Sequence, residues 1–485
     1  MLKVLEGPKK RGRTLSGVTI LSVMTKPLPC PGKCVYCPGG VDKEIPTPKS
    51  YLPKSPTVLR GIRNDYDSRK QIQGRIEVLD ANRHLAEKCE VIVMGGTFMA
   101  APKPYRFEFI KGVYDGLNGT ISESLEEAKE INQTALHRCV GMCIETRPDW
   151  AKEQQIAEML DFGTTRIELG VQIADDQNYQ LTKRGHTVKD VIEATKLLKD
   201  SGFKIYYHYM PNLPGSNIEK DIREFERLFA DQSFRPDGLK IYPCVVVEGT
   251  ELEEMYRKGE YVPYTEEEIV EVLARVKALV PRYVRIQRVM RDIPAQYIVG
   301  GSKFCHQRDP AKQRMKELGL KCLCIRCREV GYNILKGKQV KEENIKLNRL
   351  DYQASDGKEI FLSFDDMEND LIVALLRLRI PSKAGNGSAD PFNPSTPFRK
   401  EITSTSTIVR ELHVFGVEKS LHDQEAWTKS FQHKGFGKRL LQEAEKITKD
   451  MGFNKIVVIS GVGVKRYYID KCGYKNDGSY VSKNV

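Results

Sequence analysis

Between residues 90 and 290 short apolar runs alternate with amphipathic stretches, and this alternation leaves few folds open. CEVIVMGG (89–96), HRCVGMCIET (137–146), TRIELGVQ (165–172), FKIYYHYMP (203–211) and GLKIYPCVVV (238–247) each read as a buried strand. DWAKEQQIAEMLDFG (149–163) and TVKDVIEATKLLKDSG (187–202) carry helical periodicity. Thr187 is placed to cap the second of these and Gly202 to end it. Strands joined by helices at this spacing make a parallel sheet, open or closed into a barrel. Functional sites in such sheets collect at the C-terminal ends of the strands.

The flanks read differently. Residues 1–50 are rich in Pro and Gly and carry a cysteine group in a loop. Residues 302–349 are basic and carry a second group. Then EIFLSFDDM and DLIVALLRLRIP read as a strand pair, SKAGNGSADPFNPSTPFRKE (382–401) as a loop, and IVRELHVFGV (408–417) as a strand. GFGKRLLQEAEKITKDMG (435–452) reads as a helix and KIVVISGVG (455–463) as another strand. There is no internal repeat.

Composition narrows the class. No apolar run approaches the ~18–20 residues that span a bilayer. The start, MLKVLEGPKKRGR, lacks the apolar core of a signal peptide. A cytoplasmic protein without membrane association is expected. Its cysteines, six of twelve in two tight groups, then read as metal ligands rather than disulfides. The net charge is +12, and residues 275–349 hold 19 Lys and Arg against 6 Asp and Glu. Such a segment suits a polyanion partner, with a merely basic solvated surface as the alternative.

Cys30, Cys34 and Cys37 form C-x3-C-x2-C. Three thiolates can hold three irons of a 4Fe–4S cluster, leaving the fourth iron open to chelate a small molecule and pass it an electron. That spacing is the signature of radical S-adenosylmethionine (SAM) enzymes. Gly95-Gly96-Thr97, at the end of the next strand, lets backbone approach the methionyl part of SAM. A zinc loop is the plainer alternative, but three ligands leave structural zinc one short.

Near the C-terminus Gln432-x-x-Gly435-x-Gly437 falls at a strand-to-helix junction. Unpaired N–H groups at a helix start cradle a pyrophosphate, and glycines let it approach. The order strand, glycine turn, helix, strand is the core of the GCN5-related N-acetyltransferase fold. Tyr467 and Tyr468 lie where a tyrosine of that fold acts as general acid toward the CoA thiolate.

With both motifs in one chain, the sequence resembles the family of Elongator catalytic subunits in their stand-alone archaeal or bacterial form. RTLSGVTILSVMTKP (13–27), CVYCPGG (34–40), IETRPDW (144–150), RELHVFG (410–416) and VISGVGVKRYY (458–468) are among the segments that carry the likeness, which runs over nearly the whole chain. The resemblance implies an α/β fold, with a partial TIM-like radical SAM barrel, a zinc-binding basic linker and an acetyltransferase domain. The implied divisions are 1–13, the remnant of a basic N-terminal arm; 14–300, the barrel; 301–350, the linker; and 351–485, the acetyltransferase.

The implied reaction uses acetyl-CoA and SAM to place a carboxymethyl-type group on carbon 5 of the tRNA wobble uridine. The implied partners are the tRNA anticodon stem-loop and Elongator-like subunits. The resemblance assigns the cluster to Cys30, Cys34 and Cys37. It assigns acetyl-CoA to Lys88, to Glu411, Leu412, His413 and Val414, and to Gly435, Phe436, Gly437 and Lys438, with Tyr468 at the thioester and Tyr467 as its rival. It also implies zinc at Cys322, Cys324 and Cys327, with Cys305 or His306 as fourth ligand. A protein lysine acetyltransferase and a non-catalytic tRNA-binding module are the competing readings.

Overall fold

The computed structural model describes residues 16–291, 293–304, 306–382, 389–390, 393–397, 399–416 and 435–485. Its first part is a parallel sheet with helices between successive strands. The strands are β1 (Thr19–Met24), β2 (Lys88–Met94), β3 (Arg138–Thr146), β4 (Arg166–Gln172), β5 (Lys204–Tyr209) and β6 (Gly238–Ile241), with β7 (Val246–Val247) standing apart and β8 (Arg285–Val289) completing the set. The order is β1-β2-β3-β4-β5-β6-β8, every neighbouring pair parallel. The edges β1 and β8 do not pair, yet Ser22 of β1 and Gln287 of β8 line one cavity, so the sheet curls into an open half-barrel.

The alternation is built as the sequence predicts, with corrections. Thr187 closes a capping box with Asp190 at the head of the helix Val188–Asp200. β1 is not among the strands that the sequence suggests, because the Pro- and Gly-rich composition of residues 1–50 masks its apolar run. The single strand expected over 238–247 is two elements: Pro243 has no N–H to continue the ladder, and β7 instead joins β9 (Ile298–Gly300) in a separate antiparallel ribbon.

The second sheet contains β10 (Ile345–Ala354), β11 (Gly357–Asp366), β12 (Leu371–Ile380), β15 (Ser406–Val414), β16 (Lys455–Val458), β17 (Lys475–Asp477) and β18 (Tyr480–Asn484). Their order is β10-β11-β12-β15-β16-β18-β17. β10 starts inside the segment read as a basic linker; most of its side chains are exposed, which hides a strand pattern. The expected loop 382–401 contains a short antiparallel pairing of β13 (Ala389–Asp390) with β14 (Asn393–Pro397).

The two sheets are locked together. Arg410 of β15 is fully buried and grips Asp237, just before β6, through two bonds of 2.8 and 2.7 Å. Burial pushes the Asp237 carboxyl up, but Arg410, Lys199 and Arg377 outweigh it and hold it well below the usual range. Removing one partner of such a buried pair costs about 3–5 kcal/mol. Close to the end of β16, Gly461 lies on β3 so tightly that a Cβ there would sit 2.2 Å from the Val140 carbonyl oxygen. Among the described residues no helix is long and apolar enough to cross a membrane.

Candidate active site

The loop after β1 carries Cys30, Cys34 and Cys37 to the C-terminal mouth of the half-barrel, where all three line a cavity of about 380 Å³. Cys30 Sγ lies 3.7 Å from Thr97 Oγ1, and Gly96 lines the same cavity; Gly95 packs against Thr25 beside it. Arg184 donates to Cys34 Sγ at 3.3 Å. A hydrogen bond from Cys37, with Arg184 and Arg147 nearby, holds the Cys34 thiol well below the ordinary range against the effect of burial. Cys37 moves the opposite way, raised by that shared hydrogen bond and by burial.

Charged residues from the strand ends complete the walls. Lys240 of β6 bridges Glu168 of β4 and Glu145 of β3. His208 Nε2 lies 2.9 Å from Glu168 Oε2, and Tyr51 donates to Glu145 at 2.7 Å. Burial raises the Glu168 carboxyl, but Lys240, the His208 hydrogen bond and Arg166 prevail and keep it ionised. Glu145, Glu168 and His208 lie close enough to share a metal ion. The Lys240 ammonium supplies the positive charge there instead. Thr146 Oγ1, Arg147 Nη1, Gln172 Oε1 and Arg184 Nε are buried on this cavity without a partner among the described residues. Buried polar groups normally have one. Donors from two arginines beside neutral acceptors suit a small ligand with both a carboxylate and an amine. The sequence reading missed this group. Its signal was charge at strand C-termini, as in IETRP and RIELGVQ.

The second cluster of expected residues surrounds the helix Phe436–Asp450. Gly435 caps it at φ 80°, a left-handed conformation that disfavours other residues. A Cβ on Gly437 would lie 3.5 Å from Val414, 3.7 Å from the Tyr467 hydroxyl and 4.0 Å from Leu412. Phe436 is buried, and Lys438 lies in the same first turn. β15 pairs with β16 only over Ser406–Val409, so among the described residues no strand lies against Glu411–Val414 on that side. The four residues divide between two faces. Leu412 and Val414 meet the glycine turn, whereas Glu411 binds Lys204 of β5 at 2.8 Å and His413 Nε2 lies 2.7 Å from the Ser16 carbonyl, toward the half-barrel. Tyr468 is buried against Tyr467 and Tyr474, while Tyr467 is 39% exposed and is the one facing the turn. Burial raises both phenols, so both stay protonated. Lys88 opens β2 opposite Arg138, on which Gly463 packs; that puts it on the side of the half-barrel covered by the chain after β16. Gln432 lies outside the described residues.

The sulfurs of Cys322, Cys324 and Cys327 lie within 4.8 Å of one another. Among the described residues no fourth ligand joins them. His306 stands apart beside Glu267 and Arg314, and Cys305 is outside the described residues. The Lys277 Nζ is buried without a hydrogen-bond partner, and burial lowers its pKa although the three thiols pull it up. The Lys277 side chain thus lies close enough to the three sulfurs for their charges to interact. The basic segment is partly internal: Arg285 pairs with Glu329, Arg328 with Asp365 and Arg282 with Asp370. Lys303, Lys316, Lys336, Lys338, Lys341 and Lys346 remain exposed.

Comparison with known proteins places this geometry. The radical SAM superfamily profile matches residues 29–228, and the Radical_SAM C-terminal domain matches 236–317. A radical SAM domain implies SAM and a 4Fe–4S cluster. The chain is 49% identical to the tRNA uridine(34) acetyltransferase of Methanocaldococcus infernus, over 98% of this chain and 87% of that protein. It is also 49% identical to the tRNA uridine(34) acetyltransferase of Dehalococcoides mccartyi, over 98% and 100%. It is 44% identical to Elongator complex protein 3 of Schizosaccharomyces pombe, over 97% and 85%. The solved structure of archaeal Methanocaldococcus infernus Elp3 with an N-terminal deletion superposes with a TM-score of 0.83 at 45% identity, covering 97% of this chain and all of that one.

Proposed function

The chain belongs to the family of tRNA uridine(34) acetyltransferases and Elongator complex protein 3, and from that premise we propose that it builds a carboxymethyl-type group on carbon 5 of the tRNA wobble uridine. The observation that carries this reading is the joining of two dissimilar sites in one body. The three-cysteine cavity and the glycine turn stand on sheets locked by Arg410 and Asp237. A protein lysine acetyltransferase has no use for the first site, and the relatives' names do not favour it.

When bound, SAM on its cluster supplies a hydrogen-abstracting radical and acetyl-CoA supplies the two-carbon unit. Cys30, Cys34 and Cys37 hold the cluster, and the arginines beside Cys34 favour its thiolate form. Arg184 and Arg147 take the SAM carboxylate; Gln172 and Thr146 take its polar neighbours. The Gly435–Lys438 turn receives the CoA pyrophosphate, and the open edge Glu411–Val414 receives the amides of its arm as an added strand would. Tyr467 donates a proton to the departing thiolate, with Tyr468 packed behind it. Cys322, Cys324 and Cys327 hold structural zinc, and the exposed lysines of 303–346 meet tRNA phosphates, positioning rather than specifying. A tRNA substrate suits a cytoplasmic enzyme, with Elongator-like subunits as candidate partners.

The test is anaerobic turnover with total tRNA, read by CoA release and by mass spectrometry of the wobble nucleoside. Strong tRNA stimulation and a carboxymethyl-type product are expected. Tyr467→Phe is expected to slow CoA release about 100-fold. Release indifferent to tRNA, with acetylated protein as product, would overturn the reading.

A further inference from the structure

A second cavity, of about 220 Å³, lies at the N-terminal end of the half-barrel, the end away from the cysteines. Inward positions two residues apart connect the two spaces. On β4, Arg166 lines the lower cavity and Glu168 the upper; on β5, Tyr206 lines the lower and His208 the upper. Ile20 of β1 and Gln287 of β8 line both, so the cavities share a wall across the barrel axis. Barrel interiors are normally filled by apolar layers at this level. Here the layer is Glu90, Arg166, Lys204 and Arg285, and it does not fill the space. Ile20 is 45% exposed although Leu21 and Val23, its strand neighbours, are fully buried. The Gln287 Oε1 on the same wall is buried with no partner.

The floor of the lower cavity is the second sheet, through Leu375, Arg377, Glu411, His413 and Phe415. β15 thus presents one face to the cavity and the other to the glycine turn. Among the described residues the sheet is open between β15 and β16 past Val409, where Gly461 draws the chain after β16 onto β3. An arm laid on the glycine-turn face of β15 and passing through that gap would meet the lower cavity on the other face of the strand. The polar walls are mostly paired with one another, as Arg166 with Glu90 and Lys204 with Glu411, so a neutral thioester arm enters without stranding a charge.

We propose that the lower cavity binds the acyl end of the CoA arm, and that Ile20 and Gln287 form the partition at which the acetyl group meets the upper cavity. This rests on the proposed function. No bond changes in transit; the thioester stays intact until it reaches the partition. The alternative occupant of a space lined by Arg166, Lys204, Arg285 and Arg377 is a tRNA phosphate, which would make the cavity indifferent to acyl size.

Ile20→Trp fills the partition, and Ile20→Ala widens it. Full-length enzyme is incubated anaerobically with tRNA, SAM and acetyl-CoA or propionyl-CoA. The readouts are 5′-deoxyadenosine, CoA and the modified nucleoside. Ile20→Trp is expected to lower the modified nucleoside about 100-fold. Ile20→Ala is expected to raise the propionyl-to-acetyl product ratio by about tenfold, near what one methylene discriminates. Wild-type product from Ile20→Trp, or an unchanged acyl preference in Ile20→Ala, overturns the proposal. If Ile20→Trp fails to fold, the alanine ratio decides alone. A wild-type enzyme that makes no modified nucleoside overturns the functional reading itself.

Discussion

Two groups of three cysteines, nearly alike as text, face opposite circumstances in the fold. Cys30, Cys34 and Cys37 open on a cavity walled by charged strand ends, with buried donors and acceptors that meet no partner among the described residues. Cys322, Cys324 and Cys327 close on one another, with Cys324 fully buried and a lone ammonium beside them. Spacing alone names both as metal loops. What separates reaction from scaffold is what the rest of the fold brings to the thiols.

That contrast can be broken in four ways. The largest effect is expected from Cys34→Ala: SAM cleavage and modified nucleoside fall below detection, while the melting temperature changes little. A variant that still forms 5′-deoxyadenosine would remove the first group from the chemistry. Next, Cys324→Ala is expected to strip zinc, measured by atomic emission, and to destabilise the chain by several kcal/mol in urea unfolding. Activity of the folded fraction should persist; its selective loss would make the second group a reactive site too. Arg184→Met removes the cation that touches Cys34. We expect weaker SAM binding by about 1.5–3 kcal/mol, the worth of a charged hydrogen bond, in equilibrium titration of reconstituted enzyme. Unchanged affinity would leave the open cavity without its carboxylate partner. The smallest effect belongs to Lys277→Met. With zinc bound, loss of the neighbouring ammonium should weaken metal retention about tenfold against a chelator. If the variant is instead more stable and holds no less metal, the three thiols carry no net charge there.

The sequence and the fold agree where information is local. Alternation of strand and helix, the Thr187 capping box and the glycine turn at Gly435 depend on neighbours within a turn or two. The Glu145–Lys240–Glu168–His208 group depends on register instead. Its members come from four strands, and each reads alone as an ordinary charge at a strand end. Arg377, Arg379 and Arg410 mislead for the opposite reason. Arginine alternating with apolar residues ordinarily marks a half-exposed strand, yet each guanidinium is buried between the sheets, where acids from distant segments meet it. The two faces of β15 likewise stayed hidden while Glu411 to Val414 were read as one run of contacts.

The clasp between Arg410 and Asp237, with Gly461 laid on Val140, has an evolutionary meaning. Each half presents to the other a surface that water cannot substitute: a buried carboxylate on one side and a buried guanidinium on the other. A foreign acetyltransferase grafted in place of the native one would strand Asp237 unless it carried its own arginine at that register. Inheritance therefore acts on the pair as a unit, and neither half is free to drift, be exchanged or be lost while its companion is retained.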